Sequence, residues 1–338
     1  MEKVIENNRF LVLDALRGIA AIGVFFFHIH SANFVIMDGL WLLVDFFFIL
    51  SGFVLYPQIR TISSNRDGLT FIRKRIIRLI PLPLLTIIFM IFRQHNDQLQ
   101  EIKTIGVDSI QSYVGAILLL QVLSYQIVQV NLTLWSLSTE FYVNILSAFF
   151  HSTKVIISII LVSLLVLLYS IHYGYPKEIG ILAISRTCLG FYVGMALRKL
   201  GGKLNKSKLR LIFCSILLIP MFSLGGRSIA AILLAIPIFA YIIIDCSKIA
   251  NFNKNQILMR VCKWLGRNSF GIYVWQIPVN SIIQSKDILS LSHLNSNSVF
   301  SQAVVVICKL GILLIFSELS TRFYEEPIRK VLGGQNHK

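Results

Sequence analysis

Residues 12–31 read VLDALRGIAAIGVFFFHIHS. The stretch is as long as a bilayer crossing requires, roughly 20 mostly apolar residues, yet it contains Asp14, Arg17 and His28. Arg17 and His28 are eleven positions apart. At about 100° per residue they return to nearly the same helix face, and at about 1.5 Å per residue they lie roughly 16 Å apart along the axis. Ionisable groups in a spanning helix are costly and usually face the protein interior or a water-filled cavity. No clear small-residue cleavage site follows, so the segment reads as a retained helix rather than a signal peptide.

Working outward, apolar segments of spanning length recur along the whole chain. Of its 338 residues, 55% are hydrophobic and 14% charged, where a soluble domain carries about 25% charged. Helices are the expected form because they satisfy their own backbone hydrogen bonds in hydrocarbon. The alternating ten-residue strands of outer-membrane barrels are not seen. The reading is an all-α, polytopic membrane helical bundle with spans near 12–31, 38–56, 77–93, 134–150, 155–172, 179–197, 209–225, 228–246, 268–285 and 301–321.

The net charge of +16 would suggest nucleic acid in a soluble protein. Here it reads as topology, since Lys and Arg accumulate in cytoplasmic loops. Basic residues crowd 57–78, 198–210 and 247–267, while the intervening loops hold only Lys103, Lys177, Arg227 and Lys286. Ten spans put every basic stretch and both termini in the cytoplasm. An eleventh at 112–130 would break that parity. That segment holds Gln111 at its edge and Gln121, Gln126 and Gln129 within, so it reads as interfacial or re-entrant on the outer side. No repeat or low-complexity tract is visible, and the expectation is one membrane domain, 1–338, without an appended extracytoplasmic domain. The five cysteines lack C-x-x-C spacing, so no metal or disulfide is expected.

Further ionisable residues sit inside the spans. Asp45 lies in VDFFFILSGF, Glu140 in LWSLSTEFYVN and Arg186 in the sixth span. Each is six or seven positions past the expected outer start of its helix, which sets them at the depth of His28. Asp45 with Arg186 reads as a structural ion pair. His28 with Glu140 reads either as a base oriented by a carboxylate or as a structural pair. Ser136, Glu140 and Asn144 share one face. Arg17 has two readings, a polar site residue or a positive-inside residue paired with Asp14. Arg73, Arg75 and Arg78 in FIRKRIIRLIP admit the positive-inside rule or a bidentate phosphate clamp, and spacing does not separate these.

Six motifs follow one another in order: LDALRGIAAIGVFFFH, VDFFFILSGF, FIRKRIIRLIP, LWSLSTEFY, LGRNSFGIYVWQIPV and YEEPIRK. In this order, from about residue 10 to about 330, the chain resembles the integral-membrane acyltransferases, acyltransferase family 3. The resemblance implies transfer of an acyl group, usually acetyl, from cytoplasmic acetyl-CoA to a hydroxyl of a surface glycan. By analogy with members of this length, the acceptor is lipopolysaccharide O-antigen, lipid-linked or polymeric, at a bacterial inner membrane. No bound cofactor is implied, acetyl-CoA being a substrate. Arg17 and His28 match the family's Arg-x10-His motif, Arg75 and Arg78 its R-x-x-R motif, and Glu140 the acidic position of WSLSxE. These assign catalysis to His28 and Glu140 and donor binding to Arg17, Arg75 and Arg78, with Asp14, Asp45, Ser136 and Arg186 as supporting polar groups. Where this chain has Gln276, members often carry histidine, which argues against a catalytic role there.

A different class remains open. Polar residues at matched depth also describe a transporter or flippase of a glycan or acyl group, although no inverted repeat is visible. A third reading is an importer that hands an acyl group to a separate transferase.

Overall fold

The computed structural model describes residues 10–29, 35–99, 110–124, 127, 130–173, 179–201, 207–224, 227–249, 256–284 and 299–333. Gln126, Gln129, Lys103, Lys177, Lys286 and both termini lie outside them. Among the described residues every regular element is helical and no strand occurs. In chain order the α-helices are α1 (Leu11–His28), α2 (Leu43–Ile59, after a 3₁₀ segment Val35–Leu42), α3 (Asn65–Leu79), α4 (Pro81–Leu99) and α5 (Ile110–Ile117). Next come α6 (Leu134–Phe149), α7 (Thr153–Tyr169), α8 (Gly180–Leu200), α9 (Lys208–Leu224) and α10 (Ile229–Ser247). The series closes with α11 (Gln256–Gln284), α12 (Val299–Ser320), a π-helical turn Thr321–Glu325 and α13 (Glu326–Gly333).

By length and composition, six helical stretches among the described residues are able to cross a membrane: Leu11–His28, Asp38–Ile59, Asn65–Arg93, Gly180–Leu200, Ile229–Ser247 and Ala303–Gly333. The outward surface agrees with that. On α7, Ile157, Leu161, Val162 and Leu165 are exposed while Ser163 is buried. A helix with apolar residues outside and a polar one inside suits a lipid surround. The molecule is an all-α polytopic membrane bundle.

Segment 112–130 is broken. Helix α5 has eight residues, about 12 Å at 1.5 Å per residue, and a 3₁₀ turn at Gln121–Leu123 follows. Gln121 is buried and its amide donates to the Ala116 carbonyl at 3.1 Å. At the other end of the hydropathy range, α3 is amphipathic. Ser64 caps it, with its side chain on the Asp67 amide and the Asp67 carboxylate reaching back to the Ser64 backbone, which satisfies two of the helix's free amides.

Two helix pairs position the polar interior. Helix α1 packs along α11, and α2 along α8. The second pair touches through backbone: a Cβ on Gly52 would land on the Phe191 carbonyl, and one on Gly194 on the Ile49 carbonyl. Small residues allow such approach between membrane helices. Contacts rise together along both chains, 45 with 186, 52 with 191 and 17 with 269 to 28 with 276. The members of each pair therefore run parallel. Helices α2 and α6 are parallel too, through Phe48 on Trp135 and Ser51 on Glu140.

Candidate active site

Arg17 leaves α1 towards α11, where its Nε–H donates to Ser269 Oγ at 2.8 Å and an Nη2–H to the Gly266 carbonyl at 2.6 Å. Asp14, one turn back, lies 3.5 Å from the same nitrogen. Gly18 makes this reach possible, because a Cβ there would sit 2.7 Å from the Leu265 carbonyl. Helix α3 brings Arg75 and Arg78 to the same place. Arg78 stacks over Phe270 of α11 at 5.1 Å and pairs with Glu325, and Arg75 lies over Phe71 at 5.6 Å. Glu140 of α6 lines the same cavity as all three guanidiniums and accepts a 2.6 Å hydrogen bond from the Ser51 hydroxyl.

These groups line one open cavity of about 160 Å³, whose walls include Arg17, Ser51, Arg75, Arg78, Glu140 and Tyr273. Three cations and one carboxylate, Glu140, on the walls of a cavity within a helical bundle form a site suited to an anion. Arg suits phosphate because its planar fork binds two oxygens at once.

His28 lies elsewhere. It lines a smaller cavity of about 30 Å³ with Trp41, Trp135, Arg186, Arg227 and Tyr273. There Arg186 makes a fork-to-fork pair with the buried Asp45, at 2.8 and 2.7 Å, and stacks on Trp41 and Trp135. His28 Nδ1 is 2.9 Å from the Val24 carbonyl and 3.1 Å from Gln276 Oε1. The Gln276 amide nitrogen donates to the Ala21 carbonyl at 3.1 Å, which points its oxygen at the histidine. Both neighbours of Nδ1 are acceptors, so Nδ1 carries the proton and the lone pair is on Nε2.

Tyr273 joins the two cavities by lining both. Its hydroxyl bonds Ser136 Oγ at 2.6 Å and the Thr133 carbonyl at 3.1 Å. Ser136 and Glu140 thus line the arginine cavity. Asn144, further along the same face, is buried, and its side-chain amide has no hydrogen-bond partner among the described residues.

One expectation is corrected. Glu140 is expected at the depth of His28, paired with it either as an orienting carboxylate or structurally, whereas it sits in the arginine cavity beside Ser51, and the Gln276 side chain meets His28 Nδ1. The depth count assumed that α6 starts at the membrane surface. Helix α6 is instead shifted along the parallel α2, with Trp135 on Phe48 and Glu140 on Ser51, six residues past Asp45 and about 9 Å further along the axis. Asp45 and Arg186, by contrast, do share the His28 level.

The sequence alone does not single out Ser51, Ser269, Tyr273 or Glu325 as site residues, and it argues against a role for Gln276. A signal existed for three of them. Ser269, Tyr273 and Gln276 follow Gly266 at intervals of three, four and three, one face of α11.

The fold and its charged interior define a multi-pass membrane protein with a polar site enclosed by helices. The chain matches the family model described as "Acyltransferase domain" over residues 10–317, and it belongs to that family. Over 96% of its length it is 27% identical to "Putative peptidoglycan O-acetyltransferase YrhL" of Bacillus subtilis, and over 94% it is 26% identical to "Peptidoglycan O-acetyltransferase OatA" of Listeria monocytogenes. The matches cover 56% and 55% of those proteins, so the chain spans about half the length of these curated relatives. No solved structure matches it.

Proposed function

We propose that this chain is a membrane O-acyltransferase that moves an acetyl group from acetyl-CoA, presented on the cytoplasmic side, to a hydroxyl of a cell-envelope glycan. The observation that carries the proposal is the single cavity holding Arg17, Arg75, Arg78 and Glu140, with Tyr273 as the wall it shares with His28. The donor's phosphates lie among the arginines. Its thin pantetheine arm extends towards Tyr273 and brings the thioester near His28. Arg17 is then a donor-side residue and His28 the chemical one, at opposite ends of α1.

In the reaction, His28 Nε2 takes the proton of the acceptor hydroxyl as its oxygen attacks the thioester carbonyl. The new C–O bond forms, the C–S bond breaks, and the leaving coenzyme A thiolate takes up the proton from the His28 imidazolium, which restores the neutral base. Gln276 and the Val24 carbonyl hold Nδ1–H, which keeps Nε2 basic. Glu140 balances the arginines and orients Ser51. Asp45 and Arg186 brace the His28 end.

The parallel run of α2 and α6 supports an even number of crossings between their starts, hence ten spans in all with 112–130 not crossing. The basic stretches then lie in the cytoplasm of a bacterium, beside the inner membrane. Both relatives named above carry peptidoglycan in their names, so peptidoglycan is the first acceptor to assay and O-antigen the second.

The test is acetyl-CoA consumption by the full chain in liposomes supplied with soluble peptidoglycan fragments. Wild type consumes donor and acetylates the fragments, and Arg75→Ala raises donor KM about tenfold, the loss of one charged contact. Equal consumption by His28→Ala overturns the assignment of the chemistry. Movement of glycan across the bilayer without donor consumption makes the chain a transporter.

A further inference from the structure

The motif YEEPIRK at 324–330 reaches the arginine cavity through Glu325, the partner of Arg78. Helix α12 does not end cleanly before it. A π turn, Thr321–Glu325, carries it into α13. A π turn holds one residue more than an α turn, and such turns are frequent at functional sites. Here it buries Thr321 and Glu325 while Arg322 and Phe323 between them stay exposed.

The buried Glu325 carboxylate is 1% exposed and forms an ion pair with Arg78. Arg329, one turn further on, lies 3.5 Å from the same carboxylate oxygen. Arg78 therefore has Glu325 as its partner and also lines the arginine cavity. Arg329 is near enough for its charge to act on Arg17, Arg75 and Arg78. Helix α13 buries none of its own residues and is tied to α3, the helix of Arg75 and Arg78, by Arg73 donating to the Leu332 carbonyl at 3.2 Å.

Four guanidiniums thus face two interior carboxylates, Glu140 and Glu325, with the more exposed Asp14 beside Arg17. Arg75 Nε is buried with no hydrogen-bond partner among the described residues. Uncompensated charge and unsatisfied donors inside a protein are expensive, and a polyanion relieves both.

We infer that segment 325–329 completes the anion site: Arg329 supplies a fourth guanidinium for the donor's phosphates, and Glu325 positions Arg78 and Arg329 for them. This rests on the donor reading above, which assigned the cavity to Arg17, Arg75 and Arg78 alone. Arg329 is half-exposed, so its replacement leaves no buried hole.

The experiment measures binding of inorganic pyrophosphate and of coenzyme A to the purified full chain in detergent. It compares wild type, Arg329→Ala, Arg329→Lys and, as a control for net charge, the exposed Arg322→Ala. Loss of one charged contact to phosphate weakens both probes about tenfold in Arg329→Ala, with Arg329→Lys between it and wild type. Arg322→Ala stays within about twofold, since an exposed charge acts weakly. In turnover, Arg329→Ala raises donor KM and leaves kcat and acceptor KM unchanged, a split that a merely structural role does not produce. Equal binding by wild type and Arg329→Ala overturns the inference, as does an equal loss in Arg322→Ala. Pyrophosphate binding that depends on Arg329, in a protein that never consumes acetyl-CoA, keeps the anion site and removes the acyl-CoA reading.

Discussion

At the scale of single residues, the proton on His28 is set by its surroundings. The Val24 carbonyl and Gln276 Oε1 both accept from Nδ1, so Nε2 is the basic nitrogen. A general base of this kind contributes about 10² to 10⁴ in rate. His28→Ala is expected to lose that factor in kcat while the protein inserts at its normal level, checked by turnover against membrane content. Asp45 makes the opposite case. Its pair with Arg186 is buried, and removing one partner of a buried pair costs about 3–5 kcal/mol. Asp45→Ala is expected to lower the unfolding temperature in detergent markedly, and the double variant Asp45→Leu/Arg186→Leu to recover most of it. A single variant as stable as wild type would make the pair dispensable.

At the scale of elements, close backbone contact decides which residues meet. The parallel α2 and α8 touch where Gly52 and Gly194 carry no Cβ. Gly194→Leu is expected to separate them and give aggregated protein on size-exclusion chromatography. Gly311→Ala, where an added Cβ meets nothing within 4 Å, is expected to elute as wild type does. A monodisperse Gly194→Leu variant would refute the packing. Helix α11 shows what a single chain position conceals. Gln276 reaches His28 across 248 positions, and the close approaches at Gly18 and Gly266 set that register. The turn at Thr321–Glu325 is likewise invisible to periodicity, because one extra residue in a turn leaves no pattern in composition.

At the scale of the whole molecule, the apolar runs were enough to identify a membrane bundle, since hydrocarbon allows little besides helices. The Asp45–Arg186 pair was legible because each charge needs a partner inside the bundle. The level of Glu140 was not, because it depends on how far α6 is shifted along α2, which only the contacts of Trp135 with Phe48 and of Glu140 with Ser51 reveal. The shared role of Tyr273 needed coordinates, for it follows from two cavities meeting at one side chain.

The division of labour along α1 is the central claim, donor phosphates at the arginines and chemistry at His28. The most direct measurement is the O-acetyl content of peptidoglycan and O-antigen released from cells making wild type or His28→Ala at equal protein level. The account predicts that O-acetyl on one of these glycans disappears with His28→Ala while the amount of glycan is unchanged. Unaltered O-acetylation, or loss of the glycan itself, would contradict it.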